Sequence, residues 1–264
     1  MLTAVTEACQ APAVDVHTCL VTGAGRGIGA AVAQRLSAAG HRVALTARSG
    51  DELDALAARM PGPALAVPAD VTDPDAVERV FATVEREWGP VEVLVLNAGA
   101  GASAPLARTT DADWERMLAL NLTAPFRMLR RAVPAMVERG FGRVVAVASV
   151  AAKRGEPYIA AYTASKHGLL GLVRSAAREL ATTGVTVNAV CPAYVDTPMT
   201  DGTVAAISEA TGRSSEQARE ALERRQPIGR LVTPDEVADA VLLCVASAAI
   251  TGQGINVDGG AVQS

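Results

Sequence analysis

The sequence predicts a single-domain α/β fold, a doubly wound parallel sheet of seven strands with helices on both faces. Short apolar runs alternate with helical stretches from residue 18 to the C-terminus, and this alternation is typical of successive βαβ units. Hydrophobic residues make up 50% of the 264 residues but aromatic residues only 3%, as in parallel sheets buried between helices. No linker, charge block or internal repeat divides the chain, which indicates one domain over residues 18–264.

Each predicted element follows from a local pattern. The strands are short apolar runs, at residues 18–22, 42–46, 64–67, 91–96, 143–148, 185–190 and 254–257. Helical periodicity fills the intervals, and several helices begin with a capping Asp, Ser or Thr. The predicted helices are residues 27–39, 51–59, 73–88, 111–139, 160–182, 214–225 and 234–246.

Two segments depart from this alternation. Residues 1–17 carry Glu7 and Asp15 and lack a basic start followed by a long apolar run, so they are interpreted as a loose N-terminal extension and not as a secretory signal. Residues 192–229 form a long connection between a strand and the next βα unit. Because long connections inside compact domains are usually functional, this segment is predicted to be a substrate-binding lid.

Charge and cysteine content exclude several classes of protein. The net charge is −4 and both signs are interspersed, so neither a nucleic-acid nor a membrane partner is predicted. The four cysteines show no metal-ligand spacing and no nearby histidine cluster, so no metal site is predicted. They are interpreted as reduced, mostly buried thiols, which favours a cytoplasmic location. The cysteines are Cys9, Cys19, Cys191 and Cys244.

A glycine-rich segment joins the first predicted strand to the first predicted helix, the context that a dinucleotide-binding loop requires. The segment reads Thr22, Gly23, Ala24, Gly25, Arg26, Gly27, Ile28 and Gly29. Glycines permit the tight turn and let backbone amides and the helix N-terminus approach a pyrophosphate. The segment therefore predicts a Rossmann-type cofactor site, and the alternative is a simple glycine-rich turn.

The second predicted strand, residues 42–46, is followed by Ala47 and Arg48. At this position an enzyme specific for NAD would place a carboxylate against the ribose 2′-hydroxyl. Arg48, together with Arg26, could instead pair with a 2′-phosphate. The sequence therefore predicts NADP(H) as the cofactor, and the alternative is that both arginines are ordinary solvated side chains. Two later strand ends are further candidates for cofactor contacts: Asp70 and Val71, and Asn97, Ala98 and Gly99.

One pair of residues indicates acid–base chemistry. Lys153 and Lys166 are the only lysines among 24 Lys and Arg residues, and Lys166 follows Tyr162 by four positions in a predicted helix. Residues i and i+4 lie on one helix face, so the phenol and the ammonium are expected to share one space. A nearby cation favours the phenolate and is expected to lower the pKa of Tyr162. The alternative is a surface tyrosine stacked on a lysine.

Together these features resemble the short-chain dehydrogenases/reductases, from about residue 17 to the C-terminus. The matching motifs are the glycine loop at 22–29, Asn97-Ala98-Gly99, Asn121, Ser149, Tyr162-x-x-x-Lys166 and residues 187–192. By this resemblance Asn121, Ser149, Tyr162 and Lys166 form a catalytic tetrad, and the cofactor site extends to Pro192, Val195 and Thr197. The chain departs from the family at Ala193, where a glycine usually follows the proline. Within the family it most resembles ketoreductases of 3-oxoacyl thioesters or polyketide intermediates.

The resemblance implies an NADPH-dependent reduction of a ketone. Tyr162 would protonate the carbonyl oxygen, to which Ser149 would donate a hydrogen bond. Lys166 would lower the pKa of Tyr162 and hold the nicotinamide ribose, and Thr197 would contact the carboxamide. Asn121 is expected to interrupt its helix and bind water, completing a proton path to solvent; the alternative is an ordinary helix-face asparagine.

The lid contributes candidate substrate contacts. Tyr194 and Met199 are predicted to face Val150 and Ala151 across the pocket. A basic cluster in the lid could meet an anionic carrier such as CoA or an acyl carrier protein, or form a solvated helix face. The cluster consists of Arg213, Arg219, Arg224 and Arg225. Helices 111–139 and 160–182 carry more apolar faces than one core needs, which predicts a dimer or, by preference, a homotetramer.

Two other functions are compatible with the sequence. One is an NADP-dependent alcohol or hydroxysteroid-type dehydrogenase that favours oxidation. The other is a dinucleotide-binding regulator that keeps the fold without turnover. The intact set of Ser149, Tyr162 and Lys166 argues against a regulator, because a sensor without catalysis has no need for an acid.

Overall fold

The computed structural model describes residues 15–263 and confirms the predicted fold class. Seven parallel strands form one sheet in the order β3-β2-β1-β4-β5-β6-β7. The strand order reverses between β1 and β4, and open α/β sheets bind ligands at such a point, beyond the carboxyl ends of the strands. The strands are β1 (Thr18–Thr22), β2 (Arg42–Thr46), β3 (Ala64–Ala66), β4 (Val93–Leu96), β5 (Gly142–Val147), β6 (Val185–Pro192) and β7 (Gly254–Val257).

Helices cover both faces of the sheet. Several start at side-chain caps: Asp73 accepts a hydrogen bond from the Asp75 amide, and Thr233 and Glu236 form a reciprocal capping box. Such caps satisfy backbone amides that the helix itself leaves unpaired. The helices of the described residues are α1 (Gly27–Ala38), α2 (Gly50–Ala57), α3 (Pro74–Trp88), α4 (Asp111–Leu118), α5 (Ala124–Arg139), α6 (Ala160–Glu179), α7 (Pro198–Thr211), α8 (Ser215–Glu223) and α9 (Pro234–Ala246).

Two helical regions differ from the predicted bounds. The single helix predicted over residues 111–139 is divided into α4 and α5 by a π-helical segment, Ala119–Thr123. Helix α7 is not predicted at all. It buries only Thr200 and Val204, so the apolar periodicity that reveals an amphipathic helix is weak there.

The core consists of two apolar layers, one on each face of the sheet. Successive strand residues point to opposite faces, so Leu20 of β1 packs with Phe81 of α3 in one layer, whereas its neighbour Val21 packs with Leu36 of α1 and Val241 of α9 in the other. All five side chains are fully buried. Because the central strands are buried on both faces, their sequences are almost continuous apolar runs.

The structure also bears on the predictions about membrane spans, metal sites, the cysteines and the N-terminal extension. Within residues 15–263, no helix has the length and apolar content needed to cross a membrane, and no group of three or more acidic, His or Cys residues is arranged to hold a metal ion. Cys19, Cys191 and Cys244 are free and buried, as predicted, whereas Cys9 lies outside the described residues, like most of the predicted extension at 1–17. The last residue of that extension, His17, stacks on Phe141 with ring centroids 4.4 Å apart.

Candidate active site

The glycine loop lies between β1 and α1, at the carboxyl edge of the sheet. Gly23 and Gly27 have φ values of +63° and +56°, in the left-handed region that side chains disfavour. A Cβ on Gly29 would collide with the carbonyl oxygen of Gly23 and approach the Asn97 side chain to 2.5 Å. The loop is therefore a tight backbone turn at a helix N-terminus, which suits an anionic pyrophosphate.

Asn97, at the end of β4, holds this loop in place. Its side-chain nitrogen donates to the carbonyl oxygens of Thr22 at 2.9 Å and Gly23 at 3.1 Å. In return, the Thr22 hydroxyl accepts hydrogen bonds from the amides of Asn97 and Ala98, both at 2.9 Å. The structure thus gives Asn97 a part in shaping the loop, beyond the cofactor contact that the sequence predicts for it.

The residues predicted for the adenosine end lie on three neighbouring loops. Arg26 and Arg48 are both exposed, and an Arg26 nitrogen lies 3.6 Å from a Glu52 carboxylate oxygen. The Thr72 amide and hydroxyl donate to Asp70 at 2.9 and 2.7 Å. These hydrogen bonds, with a smaller contribution from the charge of Arg48, hold the pKa of Asp70 below its ordinary value. Asp70 is therefore an anion at neutral pH, while Val71 beside it is buried.

Asn121 lies at the centre of the π-helical segment and is fully buried. Its amide nitrogen donates to the Ala100 carbonyl at 2.9 Å, and its amide oxygen accepts from the Ala100 amide at 3.0 Å. π-Helical turns frequently mark functional sites. The prediction that the helix is interrupted at Asn121 is confirmed, and the interruption anchors the chain that follows Gly99.

Ser165 links Asn121 to the helix that carries Tyr162, and the sequence analysis missed it. The Asn121 side-chain nitrogen donates to the Ser165 hydroxyl at 3.1 Å, and that hydroxyl donates to the Tyr162 carbonyl at 2.7 Å. Ser165 is fully buried. A sequence signal existed, because Tyr162, Ser165 and Lys166 occupy positions i, i+3 and i+4 and so share one helix face.

Ser149 and Tyr162 meet beyond the end of β5. Ser149 begins the 3₁₀ turn Val150–Ala152, and its hydroxyl accepts a hydrogen bond from the Ala151 amide at 3.1 Å. Burial raises the pKa of the Tyr162 phenol above its ordinary value, and a hydrogen bond with Ser149 partly opposes that rise. At neutral pH Tyr162 therefore carries its proton and can act as an acid.

Lys166 is buried behind Tyr162. Its ammonium donates to the Val147 carbonyl at 2.9 Å and lies 5.7 Å from the centre of the Tyr162 ring. Burial lowers the pKa of Lys166 to about 8. The expected net lowering of the Tyr162 pKa is wrong, because the desolvation of the phenol dominates and the Lys166 ammonium contacts Val147 and the ring face.

The predicted lid brings Tyr194 close to Tyr162. Tyr194 is half-buried against a small apolar cluster of lid residues, and its proximity contributes to the raised pKa of Tyr162. Of the other predicted substrate contacts, Met199 is 52% exposed on α7, whereas Val150 and Ala151 are buried within the 3₁₀ turn. Tyr194 is thus a predicted wall residue whose proximity affects the Tyr162 phenol.

The end of β6 positions Thr197 against the glycine loop. A Cβ on Gly27 would lie 3.2 Å from the Thr197 methyl group. Strand β6 ends at Pro192. Val195, which lies between Pro192 and Thr197, is buried and pairs with Val232.

The backbone of Ala193 is not left-handed, since Tyr158 is the only non-glycine residue among 15–263 with positive φ. Alanine therefore fits where the family usually has glycine.

Intramolecular ion pairs occupy most of the basic cluster in the lid. Arg219 contacts Asp196 at 2.9 Å and Glu223 at 3.2 Å. Arg224 pairs with Glu220 at 3.1 Å, within α8. Arg225 reaches out of the lid to Glu156 at 2.7 Å. The cluster is largely neutralised by the chain itself, which does not favour it as a site for an anionic carrier.

Known proteins match the chain over nearly its whole length. The family model described as enoyl-(acyl carrier protein) reductase covers residues 23–262. The 3-oxoacyl-[acyl-carrier-protein] reductase MabA of Mycobacterium tuberculosis is 41% identical over 262 residues, 98% of each protein. A putative ketoacyl reductase of Streptomyces coelicolor is 40% identical over 253 residues, 93% of this chain and 97% of the relative. A variant of the actinorhodin polyketide ketoreductase, crystallised with NADPH, has a TM-score of 0.91 at 39% identity, covering 94% of this chain and 97% of that one.

These likenesses agree with the geometry of the site. The glycine loop, the asparagine in the π-helical segment and the Ser149, Tyr162 and Lys166 set all lie at the carboxyl edge of the sheet. The chain therefore belongs to the short-chain dehydrogenase/reductase family, whose members are oxidoreductases acting on alcohol and ketone groups.

Proposed function

We propose that the chain is an NADPH-dependent reductase that transfers hydride to the ketone of a 3-oxoacyl thioester or a polyketide-like substrate. The observation that carries this proposal is that the Ser149 hydroxyl lies close enough to Tyr162 to influence its pKa, beside a buried Lys166. Two hydroxyl groups that converge at one point can both donate to a single carbonyl oxygen. The names of the 40–41% identical relatives and the NADPH in the related crystal structure support the same reaction.

The residues present fit NADP(H). The backbone turn at Gly23 and Gly29 leaves no room for a Cβ, as a pyrophosphate cradle requires, and two exposed arginines lie where the 2′-phosphate is expected. Arg26 and Arg48 would hold that phosphate, and Lys166 and Thr197 would hold the nicotinamide end. When bound, the reduced nicotinamide supplies the hydride.

Side chains of the protein supply the proton that the carbonyl oxygen of the substrate receives. Tyr162 gives its phenolic proton to the carbonyl oxygen, and Ser149 donates a hydrogen bond that stabilises the negative charge developing there. The buried ammonium of Lys166 then favours the transient phenolate. Asn121 holds the Ala100 backbone next to Lys166, where we place the route by which a proton returns from solvent to Tyr162.

The setting of the enzyme forms part of the proposal. A substrate carried on acyl carrier protein or CoA agrees with the printed name of the MabA relative. Exposed apolar side chains on α4 and α5, Trp114, Phe126 and Val137, favour assembly into a homotetramer through these helices. Reduced, buried cysteines favour a cytoplasmic location.

A panel of substrates tests the reaction. NADPH oxidation is measured with 3-oxoacyl thioesters on carrier protein and on CoA, with 2-enoyl thioesters, and with cyclic ketones. We expect the 3-oxoacyl thioesters to give the highest kcat/KM. A preference for enoyl thioesters, which the description of the family model names, or for cyclic ketones would contradict the proposed substrate. NADPH binding without turnover of any member would indicate a regulator.

A further inference from the structure

A carboxylate lies inside the region proposed to receive the adenosine 2′-phosphate. Glu52, on the first turn of α2, packs directly against the glycine loop: a Cβ on Gly25 would lie 2.7 Å from a Glu52 carboxylate oxygen and 3.1 Å from the Glu52 Cβ. The other carboxylate oxygen lies 3.6 Å from Arg26 Nη1. No other acidic residue in the described part of the chain forms an ion pair with the glycine loop.

The position of Glu52 is fixed by its helix. Ser49 caps α2 and accepts a hydrogen bond from the Glu52 amide at 3.4 Å. The next residue, Leu53, is fully buried in the core, so the backbone at Glu52 cannot withdraw without moving a core side chain. A carboxylate in the first helical turn is also favoured by the helix dipole. The backbone of Glu52 is therefore fixed, and its carboxylate lies beside the loop.

Both arginines proposed to bind the phosphate already face a carboxylate. Arg26 faces Glu52, and Arg48 is near enough to Asp70 to lower the pKa of that acid. A 2′-phosphate must therefore take Arg26 away from Glu52 and accept the repulsion of the remaining anion. We infer that Glu52 is a specificity-determining residue that limits the preference of this enzyme for NADP(H) over NAD(H). This inference rests on the proposed cofactor site.

The expected change in cofactor affinity is modest because Glu52 and Arg26 lie near the protein surface. Two like charges several ångströms apart near a protein surface repel weakly, and physiological salt screens them further, so removing the charge of Glu52 should change affinity by about three- to tenfold. The effect should be confined to ligands that carry the 2′-phosphate. It should also decrease as ionic strength rises.

Calorimetric titration of the full-length protein tests the inference without turnover. In Glu52→Gln, the Kd values of NADP⁺ and 2′,5′-ADP are expected to fall about three- to tenfold, while those of NAD⁺ and 5′-ADP change less than about twofold. The control is Asp51→Asn, which removes the same charge from an exposed neighbour on the same helical turn and should leave all four values within about twofold.

A double-mutant cycle separates competition for Arg26 from general repulsion. The gain from Glu52→Gln should shrink when Arg26 is replaced by Gln, because no guanidinium is left to release. An equal gain for NAD⁺ and NADP⁺, or no gain in Glu52→Gln, overturns the inference. A selective gain that is undiminished when Arg26 is replaced supports the inference and assigns the effect to repulsion alone. A selective gain in a protein that reduces no 3-oxoacyl thioester supports the inference and refutes only the proposed substrate.

Discussion

At the scale of single residues, the site depends on a tyrosine whose environment keeps it protonated. Burial raises the pKa of Tyr162, and its hydrogen bond with Ser149 opposes that rise only in part. A carbonyl oxygen of the substrate that replaces the Ser149 oxygen next to Tyr162 would accept the phenolic proton directly. Lys166, with a pKa near 8, supplies a positive charge behind the ring at neutral pH.

Tyr162→Phe removes the acid and keeps the ring. General acid catalysis contributes at least about 100-fold, so kcat should fall by at least that factor while the Kd of NADP⁺ changes less than about threefold. Steady-state kinetics and calorimetry measure the two quantities. The matched control is Tyr194→Phe, a second tyrosine near the site, which should keep kcat within about fivefold. Residual turnover of Tyr162→Phe within tenfold of wild type would refute the proposed acid.

At the scale of elements, the π-helical segment and α6 are joined by one buried hydroxyl. Ser165 accepts from Asn121 and donates to the Tyr162 carbonyl, so it ties the interrupted helix to the helix that carries Tyr162. Losing this hydroxyl leaves a buried amide donor unpaired, and such a donor is costly in the interior.

Ser165→Ala should therefore lower the free energy of unfolding by about 1–3 kcal/mol, as measured by urea denaturation. The control is Thr163→Val on the same helix, because the buried Thr163 hydroxyl has no hydrogen-bond partner within residues 15–263. That isosteric change should cost less than about 0.5 kcal/mol. Equal losses for the two variants would show that the link between Asn121 and Ser165 contributes nothing particular.

The lid is connected to the body of the protein through Glu156. Arg225 of the lid pairs with Glu156 at 2.7 Å and lies against the Tyr194 ring, with 5.9 Å between guanidinium and ring centre. Arg154 pairs with the same carboxylate at 2.7 Å. The side chain of Glu156 is 16% exposed, so this carboxylate joins two arginines on different segments and orders the lid around Tyr194.

Arg225→Gln should loosen this connection and raise the KM of the acyl substrate by about two- to tenfold, with little change in the Kd of NADPH. The control is the adjacent Arg224→Gln, whose ion pair with Glu220 stays within α8 and should leave KM unchanged. The KM of the acyl substrate is measured for both variants by steady-state kinetics with a saturating cofactor. An equal rise in both variants would indicate a general effect of positive charge on the lid.

At the scale of the whole molecule, the sheet and most helices could be predicted from the sequence, because apolar runs and caps are local signals. Helix α7 could not, since it buries too few side chains to show a period. The pairing of Tyr162 with Lys166 could be predicted from their spacing, whereas Asn121 and Ser149 were predicted from the resemblance to the family. The helix face that Ser165 shares with Tyr162 was readable from the sequence, but its bond to Asn121 was not. That bond, the raised pKa of Tyr162 and the contact of Glu52 with Gly25 each depend on which side chains meet in space.

Global stability should decline in mild acid because of a histidine at the amino end of the sheet. Burial, and secondarily His17, lowers the pKa of His41 below its usual 6.5, against a smaller opposing effect of Glu92. The unfolded chain therefore binds more protons than the folded chain just below pH 6.5, and stability that is present above that pH is lost as the pH falls toward the folded pKa.

Urea denaturation at pH 7.5 and 5.5 measures this effect. The loss of unfolding free energy between the two values should be smaller in His41→Gln than in wild type. His167→Gln, which changes an exposed histidine of α6, should retain the full loss. An unchanged loss in His41→Gln would assign the acid sensitivity to other groups.

The position of β1 in the sheet has a consequence for synthesis on the ribosome. The glycine loop follows the first strand, but the side chain that holds it, Asn97, belongs to the end of β4. Domains fold as units, and N-terminal segments leave the ribosome first. A nascent chain that ends before β4 therefore carries the cofactor-binding sequence without the shape, and becomes able to bind a dinucleotide only once β4 has left the exit tunnel and paired with β1.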